Sequence, residues 1–260
     1  MKVDMHNHTY LCNHADGKPK EYLKAAISKG IDIFGFSDHA PMNFDKAYRM
    51  SFSQMDFYEN LIDELKEKFQ GKIEILKAYE VDFLPGFIDE RVISRKVDYL
   101  IGSVHFLNAW GFDNPEFIGG WKDKNIDEIY SEYFSAIENL AKSGKFDILG
   151  HLDLIKVFKF LPKKDIRILA KSALNAIKKA DLTVELNSAG LRKPVKEIYP
   201  SDVLLEQIAE LEIKITLSSD AHSPEQVAQN YDEILKTALK FGFNKAVIFK
   251  NRDRKFVDLG

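Results

Sequence analysis

His6 and His8 stand two residues apart in the opening run Met-Lys-Val-Asp-Met-His-Asn-His-Thr-Tyr. The run reads as a β-strand, and alternate residues of a strand point to one face. Two imidazoles one strand repeat apart can chelate a single divalent ion. The other five histidines are His14, His39, His105, His151 and His222, and almost all of them follow short apolar runs. Carboxylates accompany them: Asp38, Glu80, Asp82, Asp153 and Asp220. An isolated histidine at a strand end is more often a hydrogen-bonded structural residue than a ligand, and an aspartate there is commonly a turn or cap residue. The set argues otherwise, because all seven histidines would have to fall by chance on one face of the same barrel. Imidazole with bridging carboxylate suits Zn, Fe or Mn, and thiolate ligands are lacking. The pattern suggests one polynuclear metal site assembled from the ends of many strands.

The elements that must position these groups are short β-branched or aromatic runs. They lie near residues 2–6, 32–37, 73–80, 98–104, 147–150, 183–187 and 214–218, with an eighth apolar run at 246–249. Their ends lead in order to His6 and His8, Asp38 and His39, Glu80 and Asp82, His105, His151 and Asp153, Asn187 and then Arg192, and Asp220 and His222. Helical patterns separate them. This alternation predicts a parallel sheet with crossover helices. The 260 residues also match the usual length, about 250, of a β/α barrel. No linker, repeat or low-complexity segment breaks the pattern, so residues 1–260 read as one domain.

Ser53 is a predicted helix N-cap ahead of a stripe of Leu61, Ile62, Leu65 and Phe69 that stops at Gly71. A helix over 127–143 carries Ile129, Tyr130, Tyr133, Phe134, Ile137 and Leu140 on one face and stops at Gly144. Ser223-Pro224-Glu225-Gln226 reads as a capping box with proline at the first helical position. The longest irregular stretches, 38–52 and 105–125, both follow strands, at the end where such barrels keep their active sites. The second holds Trp110, Phe112, Phe117 and Trp121. These aromatics either line a binding site or cover that end of the barrel.

Apolar content of 45%, charged content of 30% and a net charge of −3 describe a soluble globular chain with no basic field for nucleic acid. One cysteine, Cys12, excludes an internal disulfide framework and favours a reducing compartment. The opening residues lack the apolar core of a signal peptide, and no run approaches the ~18 apolar residues of a membrane span. The expected location is the cytoplasm. Nothing in these features sets an oligomeric state.

The chain resembles the polymerase-and-histidinol-phosphatase (PHP) metallohydrolases. The matching elements are His6-x-His8, Cys12-Asn-His14-Ala-Asp-Gly, Ser37-Asp38-His39, Glu80, Gly102-Ser-Val-His105, Gly150-His151-Leu-Asp153 and Ser219-Asp220-Ala-His222, spread over almost the whole chain in the family's order. Gly-Ser-Val-His-Phe and Asn187-Ser-Ala-Gly-Leu-Arg192-Lys-Pro-Val look like the histidinol-phosphatase branch. The resemblance implies a distorted (β/α)7 barrel with two to three divalent transition metals at the C-terminal face of the strands. It implies one ion on His6, His8, Glu80 and Asp220, a second on Glu80, His105 and His151, and a third on His14, His39 and His222. Cys12 receives no role and reads as a buried bystander.

The expected activity is hydrolysis of L-histidinol phosphate, a small phosphorylated substrate, in histidine biosynthesis. Two or three ions about 3.5–4 Å apart would clamp the phosphate and lower the pKa of a bridging water, whose hydroxide would attack phosphorus in line with the leaving alkoxide. Glu80 and Asp220 are the expected catalytic ligands. Arg192 is placed to hold phosphate oxygens as a bidentate donor. Asp153 is either a proton donor to the leaving group or the partner of a ligand histidine, and Asp38 is expected to orient a histidine. Trp110 and Asp113 are the expected contacts to the rest of the substrate. Three other activities fit the same features less well: a PHP phosphoesterase acting on nucleotides or short oligonucleotides, an amidohydrolase, in which a modified lysine usually takes the place of Glu80, and a metal-stabilised accessory domain.

Overall fold

The computed structural model describes residues 1–259. Seven strands form one parallel sheet in sequential order: β1 (Val3–Asp4), β2 (Ile33–His39), β3 (Glu74–Asp82), β4 (Tyr99–Ser103), β5 (Ile148–Leu149), β6 (Thr183–Asn187) and β7 (Ile215–Ser218). Helices α1 (Pro19–Ser28), α2 (Met55–Lys68), α3 (Ile126–Ser143), α4 (Ile166–Lys179) and α5 (Asp202–Glu210) make the crossovers, with only a single helical turn, Glu90–Ile93, between β3 and β4. Helix α6 (Tyr231–Lys240) follows β7. The strands are buried on both faces, as parallel strands under helices must be.

The ladder of β1 is shorter than the predicted 2–6. Beyond it the backbone runs on against β7, where Met5 N donates to Leu217 O at 3.1 Å and His8 N to Ala221 O at 2.9 Å. These bonds and a bridge between Asn7 and Ala221 bring the first and last strands together. The buried Asp4 carboxylate secures the seam by accepting from Ser219 N (2.8 Å), Ser219 Oγ (2.6 Å) and Ala228 N (2.9 Å). Inside the barrel the Tyr99 hydroxyl donates to Met5 O at 2.6 Å past Gly35. A Cβ at Gly35 would lie 1.7 Å from that hydroxyl, so only glycine fits.

The 127–143 helix forms as Ile126–Ser143, capped by Asn125 and stopped by Gly144 at φ +65°, with its apolar face buried. Other predicted boundaries move. Ser53 is not the cap: Ser51 makes the capping box with Gln54, and Ser53 lies within the short turn Phe52–Gln54 that leads into α2. Ser223 opens only a turn, Pro224–Gln226, and α6 begins at Tyr231. Gln226 Oε1 accepts from His222 N instead of capping a helix, and Ala228 N turns inward to Asp4. The eighth apolar run is a strand, β8 (Lys245–Lys250), but it leaves the barrel and pairs antiparallel with β9 (Asp253–Asp258). That hairpin meets the leading ends of the barrel strands. Arg252 N donates to Asp98 O at 2.8 Å, and Lys250, Arg252 and Arg254 pair with Glu74, Asp147 and Asp181. Among the described residues no helix is long and apolar enough to cross a membrane.

Candidate metal centre

Glu80, near the end of β3, is 1% exposed. Ser103 Oγ donates to its Oε1 at 2.6 Å. His151 Nε2 lies 3.0 Å and His105 Nε2 3.6 Å from the same oxygen. His39 Nδ1 (3.0 Å), His6 Nε2 (3.4 Å) and His8 Nε2 (3.7 Å) surround Oε2. Five of the seven histidines thus surround one carboxylate. The other two meet beside them, with His14 Nε2 and His222 Nε2 3.1 Å apart. Asp220 Oδ1 lies 3.1 Å from His8 Nε2, 3.5 Å from His222 Nδ1 and 3.9 Å from His6 Nε2. Three groups have ligand atoms mutually within 4.8 Å: His6, His8 and Glu80; Glu80, His105 and His151; and His14, His39 and His222.

Most of the rings are held from behind. Glu185 Oε1 is 2.7 Å from His6 Nδ1, Asp38 Oδ1 is 3.4 Å from His8 Nδ1, and Asp82 Oδ1 is 2.6 Å from His105 Nδ1. Backbone carbonyls of Cys12 and Asp220 lie 2.9 and 3.2 Å from the Nδ1 atoms of His14 and His222. A carboxylate or carbonyl on Nδ1 fixes the tautomer and turns the Nε2 lone pair inward, as metal-ligating imidazoles require. Asp38, read from the sequence as a histidine's partner, stands behind His8.

The donors fit divalent cations. His6 Nε2 and His39 Nδ1 are buried with no hydrogen-bond partner, a costly arrangement unless another group satisfies them. Burial would raise the Glu80 pKa, yet the rings of His39, His6 and His105 hold it well below the usual carboxylate range. Burial opposes charge on His105, but Asp82 and Glu80 outweigh it and raise its pKa to about 10. Burial, outweighing Glu80, pushes His39 down to about 4. A fourth group, His8, Cys12 and His222, is geometrically close. The Cys12 thiol, its pKa raised by burial, donates to Thr9 O at 3.1 Å.

A cavity of about 440 Å³ opens beside these groups, lined by His14, His39, Glu80, His105, His151, Asp220 and His222. Arg192 lines it from the turn Ala189–Arg192. Its Nη2 donates to Ser219 O (2.7 Å) and Asp220 O (3.1 Å), and its buried Nη1 has no partner. That turn depends on Gly190, where a Cβ would meet Glu197 O at 1.9 Å. Asp113 also lines the cavity.

Two predicted residues stand elsewhere. Trp110 does not face the cavity. Its indole donates to Phe117 O at 3.1 Å and packs edge-on against Trp121, so it braces the 105–125 loop. Asp153 reaches no histidine. The chain turns at His151 (φ +22°), and the Asp153 carboxylate accepts from Ser201 N at 2.9 Å and pairs with the buried Lys156 at 3.0 Å. Through Oδ2 it fastens two loops together, while its Oδ1 is buried without a partner.

Several residues escaped the sequence reading. Lys193, Phe106 and Tyr199 line the cavity. Glu185 holds His6 and, through Oε2, accepts from His151 N at 2.8 Å. Its one signal was a charge inside the apolar strand Leu-Thr-Val-Glu-Leu, since a fully buried carboxylate demands a partner. Glu185→Gln keeps the size and removes the charge behind His6. The expected loss is about 10–100-fold in metal affinity or turnover with the fold retained. Metal content after dialysis, read beside kcat/KM, checks it; values within about threefold of wild type on both would remove Glu185 from that role.

A parallel barrel with buried imidazoles and carboxylates at the C-terminal ends of its strands defines the class of barrel metallohydrolases. The PHP domain profile matches residues 4–189, and the chain belongs to that family. It is 38% identical over 254 residues to a protein of Deinococcus radiodurans named "Probable histidinol-phosphatase", covering 96% of each. It is 29% identical over 266 residues to the histidinol-phosphatase of Bacillus subtilis, covering 90% of this chain and 98% of that one. The fold matches the crystal structure of histidinol phosphate phosphatase from Lactococcus lactis, complexed with Zn, L-histidinol and phosphate. The TM-score there is 0.83 at 22% identity, with 98% of each chain covered.

Proposed function

We propose that this chain is a metal-dependent phosphomonoesterase that hydrolyses L-histidinol phosphate to L-histidinol and phosphate in histidine biosynthesis, in the cytoplasm. The observation that carries the reading is the pairing, in one cavity, of an imidazole-ringed Glu80 with the free Nη1 of Arg192. The names of the Deinococcus and Bacillus relatives support the substrate.

Two to three Zn, Fe or Mn ions would be held by His6, His8, Glu80 and Asp220; by Glu80, His105 and His151; and by His14, His39 and His222. Bound there, such ions supply Lewis acidity toward phosphate oxygens and a water of lowered pKa. The chain does the rest. Glu80 spans two of the ligand groups, and its negative charge offsets the repulsion between neighbouring cations. Glu185, Asp38 and Asp82 hold the rings of His6, His8 and His105 in register. Arg192 turns a guanidinium N–H toward the phosphate while its other arm stays anchored to the β7 end. Asp113 and the aromatic wall of Phe106, Phe117 and Tyr48 face the organic part of the ester.

Turnover of histidinol phosphate against p-nitrophenyl phosphate and nucleoside monophosphates tests the reading. The expected result is a kcat/KM for histidinol phosphate at least about tenfold above every other ester, a discrimination of roughly 1.4 kcal/mol. A preference for nucleotides would transfer the chain to the nucleotide-cleaving reading.

A further inference from the structure

Arg49 lies in the loop that follows β2 and is 4% exposed. Its Nε donates to Asp45 O at 2.8 Å and its Nη2 to Asp45 Oδ2 at 3.0 Å. Its Nη1 donates to Asp82 Oδ2 at 2.6 Å and, more weakly, to Ala40 O at 3.4 Å. Its backbone carbonyl accepts from Asn13 Nδ2 at 3.0 Å, and Asn13 is the chain neighbour of His14. One residue therefore touches the segments that trail β1 and β2 and the last residue of β3. It lines the same cavity as the histidines. Unlike Arg192, Arg49 has spent its donors on protein acceptors, which leaves little of the fork for a substrate anion.

We propose that Arg49 is a positioning residue for the metal centre. It acts through Asp82 on His105. The inference rests on the proposed metal-binding role of that histidine. Asp82 sits between two donors, with Oδ2 on Arg49 and Oδ1 on His105 Nδ1. A carboxylate held by histidine alone can pivot about its own side-chain torsions. The planar guanidinium fixes its plane, so the His105 ring is fixed with Nε2 toward Glu80. A lysine cannot substitute fully, because one ammonium cannot reproduce a fork that reaches Asp45 and Asp82 at once.

The test compares zinc-loaded wild type with Arg49→Met, Arg49→Lys, Asp82→Asn and the Arg49→Met/Asp82→Asn double variant. The first readout is the rate of zinc transfer to a chelating dye. The second is kcat and KM on p-nitrophenyl phosphate and histidinol phosphate. Arg49→Met is expected to release zinc about 10–100 times faster and to lower kcat by a similar factor, with KM within about threefold. Arg49→Lys falls between Met and wild type. The double variant is no worse than the worse single one, because both act on the same ring. Zinc transfer within about twofold of wild type in both Arg49 variants, double-variant losses equal to the product of the single losses, or a raised KM with unchanged kcat would each overturn the proposal. If Arg49→Met does not fold, the Lys variant decides by the same readouts. A wild type that takes up zinc but cleaves neither ester defeats the functional reading alone, and zinc transfer still decides Arg49. A wild type that takes up no zinc defeats both.

Discussion

Glu80→Gln leaves a folded protein with almost no phosphatase activity. Glutamine keeps the volume and one carbonyl oxygen, so the barrel around it stays packed. It removes the single negative charge on which the five rings of His6, His8, His39, His105 and His151 converge. Two neighbouring cations sharing a neutral amide would repel each other without compensation, and occupancy would fall. Altering an outer partner of a ligand already costs about 10–100-fold, so neutralising the shared ligand is expected to cost more than about 1,000-fold in kcat/KM. Metal analysis should find at least one equivalent fewer than in wild type, with circular dichroism unchanged. Activity within tenfold of wild type would show that Glu80 does not bridge.

Arg192→Ala gives the second-largest expected loss. Its unpartnered Nη1 is buried in the wall of the cavity, and truncation removes a charge-assisted contact to phosphate worth roughly 2–4 kcal/mol. That is about 30- to 1,000-fold in kcat/KM. The loss should be alike for histidinol phosphate and p-nitrophenyl phosphate, since both present the same oxygens. Arg192 also holds the Asp220 carbonyl, a contact the sequence did not announce, so metal content must be followed in parallel. Lost activity with full metal content assigns the effect to phosphate binding. Lost metal assigns it to the support of Asp220, and unchanged kinetics on both esters would remove Arg192 from the phosphate site.

What the sequence disclosed follows the range of each interaction. The strand ends were legible because alternating β and α patterns are local, and because histidines just past apolar runs are conspicuous. Helix α3 was legible from its own spacing and its glycine stop. Partnerships across the barrel were not. Glu185 meets His6 at a separation of 179 residues, and no local pattern pairs them. Trp110 looked like a binding residue because an aromatic in a long loop has two uses, and its indole N–H found Phe117. The contacts of Asp153 were not legible either, because the turn at His151 (φ +22°) sets its direction, a backbone choice that composition does not encode. Ser223 carried a genuine cap pattern, but the buried Asp4 competed for the following backbone and won. The eighth apolar run had the composition of a barrel strand, while the charges that send it to the hairpin's place lie in other segments.

The seam between β1 and β7 has a bearing on cohesion as well as on chemistry. Every other junction in the sheet joins strands that are sequential neighbours. This one joins the two extremes of the barrel, and His8 meets Asp220 across it from 212 residues away. Cyclising so long a segment is entropically the most expensive join in the barrel, although the cost grows only with the logarithm of its length. The first proposed ligand group takes His6 and His8 from one lip of the seam and Asp220 from the other. A cation there would work as a clasp, doing for the barrel what a covalent cross-link does for a loop. Its affinity would then be paid out twice, once in reactivity at the ester and once in resistance to unzipping along that line.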